Sequence, residues 1–261
     1  MAARSWEDLK PRVISGIAMV VLGLLVIWAG GHVLRLGFAL VAGGMVWELV
    51  RLLVPEADRS AKTMGLIACV SLLAVVYLPL GVSLPALLVP GMAGIALVPR
   101  HRVLFLTFTA MILIAAFGLI QLREISGMIW LFWLIAVIVA TDIAGYFAGR
   151  MIGGPKFWPR VSPKKTWAGT IAGWVAAGVV AVCFILGAGA GSALIGLSVA
   201  VSMASQMGDM AESAMKRRVG AKDSSSLIPG HGGLLDRFDG VLGGAVFLLL
   251  VGPWAGVPVT P

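Results

Sequence analysis

Charge is scarce in this sequence. Only 12% of its 261 residues are charged, against about 25% in a soluble domain, and 59% are hydrophobic, with a mean hydropathy of +1.00. An ordinary soluble globule is thereby excluded. Short segments of alternating polarity are absent, which argues against a membrane β-barrel. Cysteine is scarce: Cys69 and Cys183 both fall inside apolar runs, with neither a zinc spacing nor a disulfide framework, and are expected as packed thiols. The histidines are dispersed as His32, His101 and His231, too few and too far apart for a zinc site. His32 and His101 are expected at the membrane interface without partners. No Gly-Lys-Ser/Thr of a Walker A loop occurs. The first apolar run is long and lacks a clear cleavage site, so it reads as a first span rather than a signal peptide.

What is abundant is apolar length. Runs of about 20 apolar residues recur throughout, the length that crosses a bilayer as a helix. The expectation is an all-α, polytopic integral membrane protein with about nine transmembrane helices. They fall near residues 13–29, 34–53, 63–79, 82–98, 103–122, 126–149, 166–186, from 193 into 209–216, and 241–251, the last lengthened toward 238 and 257. Residues 1–12 read as a basic amphipathic lead-in, and 150–165 as a polar loop. Eighteen Lys/Arg fall in 1–12, 51–62, 99–102, 150–165 and 216–240, and only Arg35 and Arg123 in the alternate turns. This asymmetry predicts a cytoplasmic N-terminus. It also accounts for the net charge of +8 through loops and anionic headgroups rather than nucleic acid. One membrane domain, 1–261, is expected, with a helical scaffold region at 1–125 and catalytic helices and cytoplasmic loops at 126–261.

Against this apolar background, residues 205–239 hold five of the twelve carboxylates: Asp209, Glu212, Asp223, Asp236 and Asp239. Lys216, Arg217, Arg218, Lys222, His231 and Arg237 lie among them. Ser198, Ser202, Ser205/Gln206, Asp209, Glu212/Ser213 and Lys216 step by three and four, so they share one helical face. Carboxylates at bilayer depth usually face a protein interior or a wet cavity. Glu212 is expected simply to pair with Lys216, while Asp209, one turn deeper, is expected in a site. Asp142 either pairs structurally with a basic residue or lines a cavity, and Gly145-xxx-Gly149 beside it invites close helix approach. Lys164, Lys165 and Thr166 at a helix start suit phosphate, although composition alone favours lysines marking the interface. Pro229-Gly230-His231-Gly232-Gly233 could offer backbone amides to phosphate. Asp236 and Asp239, three apart, are hard oxygen donors of the kind Mg²⁺ takes with waters and substrate phosphates. Glu48 reads as structural or as a headgroup contact.

Ser213-x-Met215-Lys216-Arg217, then Lys222-Asp223, then Ile228-Pro229-Gly230-His231-Gly232-Gly233-Leu234-x-Asp236-Arg237-Phe238-Asp239 resembles the signature of the phosphatidate cytidylyltransferase family. Asp142-x-x-Gly145-Tyr146-x-x-Gly149-Arg150, Ser162-Pro163-Lys164-Lys165-Thr166 and Ser205-Gln206-x-Gly208-Asp209 are similar to the family as well. The resemblance covers about residues 140–240; Ser224-Ser225-Ser226 stands where a glycine is more usual. It implies cytidylyl transfer from CTP to phosphatidate with Mg²⁺, as one ion or two. It implies Asp209, Asp236 and Asp239 as metal ligands, and these three with Lys222 and Arg237 as catalytic residues. Lys164, Lys165, Ser205, Lys216, Arg217, Asp223, His231, Gly232, Gly233 and Asp142 are implied as substrate-binding. Membrane lipids, a homodimer and a bacterial inner membrane with a cytoplasmic active site are implied too.

Three other readings bear on this pattern. A lipid or polyprenol kinase using CTP or ATP shares the charge logic, but the Lys-Asp…His-Gly-Gly…Asp-Arg-x-Asp pattern argues against it. A CDP-alcohol phosphotransferase would need an Asp-Gly-x-x-Ala-Arg run, which is absent. A cation-coupled transporter could use Asp142 and Asp209 as ion-binding residues, but the polar groups gather toward one side and leave no path outward.

Overall fold

The computed structural model describes residues 9–252 and Trp254. Residues 1–8 of the expected lead-in, and most of the extension toward 257, lie outside them. Apart from a short hairpin and one isolated bridge, the described regular structure is helical, the all-α architecture expected of the apolar runs. The helices are α1 (Leu9–Ala29), α2 (Gly31–Leu53), α3 (Asp58–Val75), α4 (Leu80–Ala86), α5 (Val89–Gly94), α6 (Arg102–Gln121), α7 (Met128–Met151), α8 (Trp167–Ala188), α9 (Ala193–Arg218) and α10 (Leu235–Val251). By length and composition, five stretches among the described residues can cross a membrane: Arg12–Ala29, Gly31–Leu53, Arg102–Ser126, Met128–Met151 and Trp167–Ala188. The chain is an integral membrane protein.

Four local expectations change. The run at 82–98 is not one helix but α4, α5 and a 3₁₀ turn at Ile95–Leu97. Pro85 is carried inside α4, but Pro90 has no N–H to bond back to Ala86 O, so the hydrogen-bond ladder of α4 does not continue into α5. The polar loop at 150–165 instead contains an antiparallel hairpin, Lys156–Trp158 with Ser162–Thr166, paired Lys156 to Thr166 and Trp158 to Ser162. Cys183 is exposed on α8 rather than packed, whereas Cys69 is buried. Apolar sequence does not reveal which face of a lipid-bathed helix meets protein. His32 is not partnerless either, since its Nδ1 lies 3.0 Å from the Tyr77 hydroxyl.

The chain divides into two compact units. One comprises the chain up to Ile120 together with Arg218–Phe238; the other comprises Gln121–Arg217 together with the chain from Asp239 onward. In the first, α2 and α3 touch backbone to backbone. A Cβ added at Gly43 would lie 2.7 Å from Gly65 O, and one added at Gly65 would lie 2.7 Å from Gly43 O. Leu34, Leu49, Leu72, Phe105, Ile112 and Phe117 are fully buried around this contact and along α6. In the second unit α7 and α8 pack in the same way, with a Cβ at Gly169 meeting Gly145 O at 2.5 Å. Trp133, Leu131, Leu134, Ala177 and Ala181 fill that core. Lipid tails are as apolar as leucine, so close packing of small residues supplies the cohesion here.

Candidate active site

In the second unit, a cavity of about 470 Å³ opens between α7, α8 and α9. Asp142, Lys164, Lys165 and Asp209 all line it, together with Tyr146, Arg150, Phe157 and Gln206. Four of the sequence-predicted residues are thus brought together from three separate segments. Each segment is locally prepared. The hairpin delivers Lys164 and Lys165 on its second strand, which ends at Thr166. Thr166 is extended and caps α8, its Oγ1 accepting from Gly169 N at 3.2 Å. One amide of this helix start is therefore already taken by the chain. Trp167 packs on Phe157 with ring centres 4.6 Å apart, tying hairpin to helix.

Asp209 is half-buried on α9, in an ion pair with Lys165 and accepting a hydrogen bond from Ser213 Oγ at 3.3 Å. One turn on, Glu212 is fully buried and pairs with Lys216 at 2.6 Å, as its spacing predicts. The rest of the polar stripe is also internal. Ser198 accepts from Trp133 Nε1 at 2.9 Å, and Ser202 Oγ lies 2.8 Å from Thr141 Oγ1. Gln206 accepts from Trp174 Nε1 at 3.0 Å and donates to Thr170 O at 3.2 Å. Ser205 differs from these: its Oγ is buried and has no partner among the described residues. It faces Gly240, where an added Cβ would lie 2.8 Å from that oxygen.

Asp239 accepts from Gly240 N at 2.7 Å and lies within electrostatic reach of Asp209, Asp142 and Lys216. Asp239 thus feels two other carboxylates in this unit, one of which, Asp209, is paired with Lys165. No three His, Cys, Asp or Glu side chains among the described residues form a ready metal cage. These carboxylates are hard oxygen donors of the kind that fits Mg²⁺, which needs only one or two of them when waters and phosphates complete its shell.

In the first unit, the signature stretch is a loop closed on itself. Ile228 and Gly232 form an isolated bridge, and Gly230 and Gly232 take φ of 75° and 82°, where a side chain would be strained. Asp236 is buried, and its Oδ2 accepts from Ser224 N, Ser224 Oγ and Gly233 N, each at 2.8 Å. The Gly233 amide is therefore occupied within the loop. His231 Nδ1 lies 2.9 Å from Ser15 Oγ on α1. Lys222, Asp223 and Arg237 are exposed on the same stretch.

Sequence reasoning missed the partners of this loop. Glu48 on α2 accepts from Ser225 Oγ at 2.6 Å, Leu234 N at 2.9 Å and Leu235 N at 2.8 Å. A carboxylate inside an apolar run was the available signal. Ser15 carried none, since a lone serine in a membrane helix is common. Tyr146, which accepts a hydrogen bond from Arg150 at 2.9 Å, joins the cavity through the helical spacing of its segment.

The Cytidylyltransferase family model matches residues 10–252. The chain belongs to that family. A protein of Brucella suis biovar 1 (strain 1330), named phosphatidate cytidylyltransferase, is 35% identical over 270 residues, covering 98% of this chain and 97% of its own. One of Helicobacter pylori (strain J99 / ATCC 700824), with the same name, is 32% identical over 247 residues, covering 92% and 90%. A third, of Bacillus subtilis (strain 168), is 41% identical over 128 residues, covering 47% of this chain and 48% of its own. Membership of this family makes the chain a nucleotidyltransferase.

Proposed function

We propose that this enzyme transfers a cytidylyl group from CTP to phosphatidate, yielding CDP-diacylglycerol and pyrophosphate in phospholipid synthesis. The near-full-length likeness to proteins of that name supports the substrate pair. The observation that carries the chemistry is the cavity, where two lysines and the Asp209 carboxylate converge at the ends of membrane helices. A phosphate oxygen of phosphatidate attacks the α-phosphorus of CTP, and the bond to the β-phosphate oxygen breaks. Both reactants are anions, so cationic groups must lower their repulsion. Lys164 and Lys165 serve there, with Lys216, Arg217, Lys222 and Arg237 as further phosphate contacts. Phosphatidate is already ionised at neutral pH, so no general base is needed.

Asp209, Asp236 and Asp239 are the residues proposed to hold Mg²⁺, as one ion or two. Bound there, the metal would neutralise charge on the transferring phosphoryl group. Asp142 and Ser205 line the substrate space, and Asp223, His231, Gly232 and Gly233 shape the nucleotide loop. The Lys/Arg asymmetry supports a cytoplasmic N-terminus and a cytoplasmic site, the recurring apolar runs support about nine spans, and the family resemblance supports a bacterial inner membrane. A single membrane domain is proposed because the apolar runs leave almost no length for a soluble one, and a homodimer on the family resemblance and the Gly-rich packing faces.

The test is product formation by purified protein in detergent with CTP, phosphatidate and Mg²⁺. CDP-diacylglycerol and pyrophosphate should appear in equal amounts and be lost in Asp209→Asn. Phosphorylation of a lipid alcohol instead, or no turnover at all, would overturn the reading.

A further inference from the structure

Glu48 is fully buried near the C-terminal end of an apolar helix, α2. Burying a carboxylate is costly unless donors surround it, and a well-packed apolar residue in its place is often no less stable. Its donors among the described residues come from one segment more than 170 residues away in sequence: Ser224 Oγ at 3.4 Å, Ser225 Oγ at 2.6 Å, Leu234 N at 2.9 Å and Leu235 N at 2.8 Å. Ser224 Oγ, with one hydrogen to give, lies closer to Asp236, at 2.8 Å. Ser225 and the two leucine amides are therefore the tether. Gly233 belongs to the same fit, because a Cβ there would lie 2.6 Å from Glu48 Oε1.

The tethered stretch is otherwise held by its own bonds, from Ser224 and Gly233 to Asp236, and by Ser15 on α1, which meets Pro229 O and His231. Between Arg218 and Leu235 it has no helix or strand, only the Ile228–Gly232 bridge. Packing of α2 on α3 runs through Gly43 and Gly65 and makes no use of the Glu48 carboxylate. Leu234 and Leu235 sit at the start of α10, where amides lack helical partners and favour an anion. Glu48 occupies this anion position from within the protein. The segment it grips carries His231, Asp236 and Arg237.

We propose that Glu48 is a positioning residue for the reaction. It holds the 224–236 segment in one conformation before substrate arrives, so that binding does not bear the cost of ordering it. This rests on the functional reading above, in which that segment takes part in cytidylyl transfer.

The experiment compares the full-length parent with Glu48→Gln, Glu48→Asp and Ser225→Ala in detergent. It follows hydrogen exchange across 224–236, thermal unfolding, and steady-state kinetics with CTP. Loss of one buried charged hydrogen bond should speed exchange in that segment by about tenfold or more in Glu48→Gln. Exchange in α7 and α8 should stay unchanged. KM for CTP should rise by a similar factor, with kcat falling less. Glu48→Asp, which keeps both acceptors, should recover part of the loss. Ser225→Ala should move the same readouts in the same direction by a smaller factor, which keeps the test open if Glu48→Gln does not fold. Unchanged exchange in a folded variant refutes the tether. Faster exchange with unaltered KM and kcat refutes the positioning role. Inactivity of the parent protein would refute the functional reading, and the positioning role with it, while exchange would still report on the tether alone.

Discussion

Replacing Gly169 with alanine should damage catalysis more than its single methyl group suggests. The added Cβ would stand 2.5 Å from Gly145 O and 3.4 Å from both Gly145 C and Gly149 Cα. All three are backbone atoms, so no side chain can swing aside. Restoring ordinary contact needs a shift of about 1 Å between α7 and α8, and overpacking of this kind costs about 1–3 kcal/mol. The same shift separates Asp142 on α7 from Lys164 and Lys165, which are joined to α8 through the hairpin. A displacement of about 1 Å can cost on the order of 10²-fold in rate. Gly178 on the same helix is the control, because nothing lies within 4 Å of a Cβ there. Gly169→Ala should therefore unfold several degrees lower and lose roughly ten- to a hundredfold in kcat/KM, while Gly178→Ala matches the parent. The assays are thermal unfolding in detergent and CDP-diacylglycerol formation. Equal behaviour of the two variants would refute the claim that this backbone contact sets the geometry of the cavity.

Three further outcomes are expected. Lys165→Met and Asp209→Asn should be non-additive in a double-mutant cycle of kcat/KM, since the two side chains are an ion pair; strict additivity would mean they act separately. Asp236→Asn replaces one acceptor oxygen with a donor beside Ser224 and Gly233, so it should lower stability by about 1–3 kcal/mol as well as abolish turnover, and an unchanged unfolding midpoint would contradict the bonding described. Ser205→Ala removes a buried hydroxyl that has no partner among the described residues, so stability should hold or rise slightly. Activity should still fall if substrate uses that hydroxyl, and unaltered kinetics would remove Ser205 from the site.

Sequence legibility followed the reach of each signal. Helical spacing placed Glu212 on Lys216 and drew the serine stripe inward, because contacts at three and four residues are local. The gathering of Asp142, Lys164, Lys165 and Asp209 was anticipated only through family resemblance; spacing alone left Asp142 ambiguous and favoured reading the lysines as interface markers. The break at 82–98 was under-read: Pro85 and Pro90 are plain in the sequence, but mean apolarity outweighed them. Glu48 and Ser15 were not legible as partners of the signature loop, since nothing local records which distant segment a buried carboxylate or hydroxyl will meet. Two side chains of the 1–125 region, Ser15 and Glu48, reach the 218–238 stretch directly.

The paired glycines on α2 and α3, and again on α7 and α8, have a consequence for temperature. Contacts made by backbone atoms in lipid are held by dispersion and weak Cα–H···O attraction, not by release of water. Hydrophobic association weakens on cooling, but these contacts have no such dependence. The helix pairs should therefore remain as tightly joined in a chilled membrane as in a warm one, and cold should slow this enzyme without loosening it.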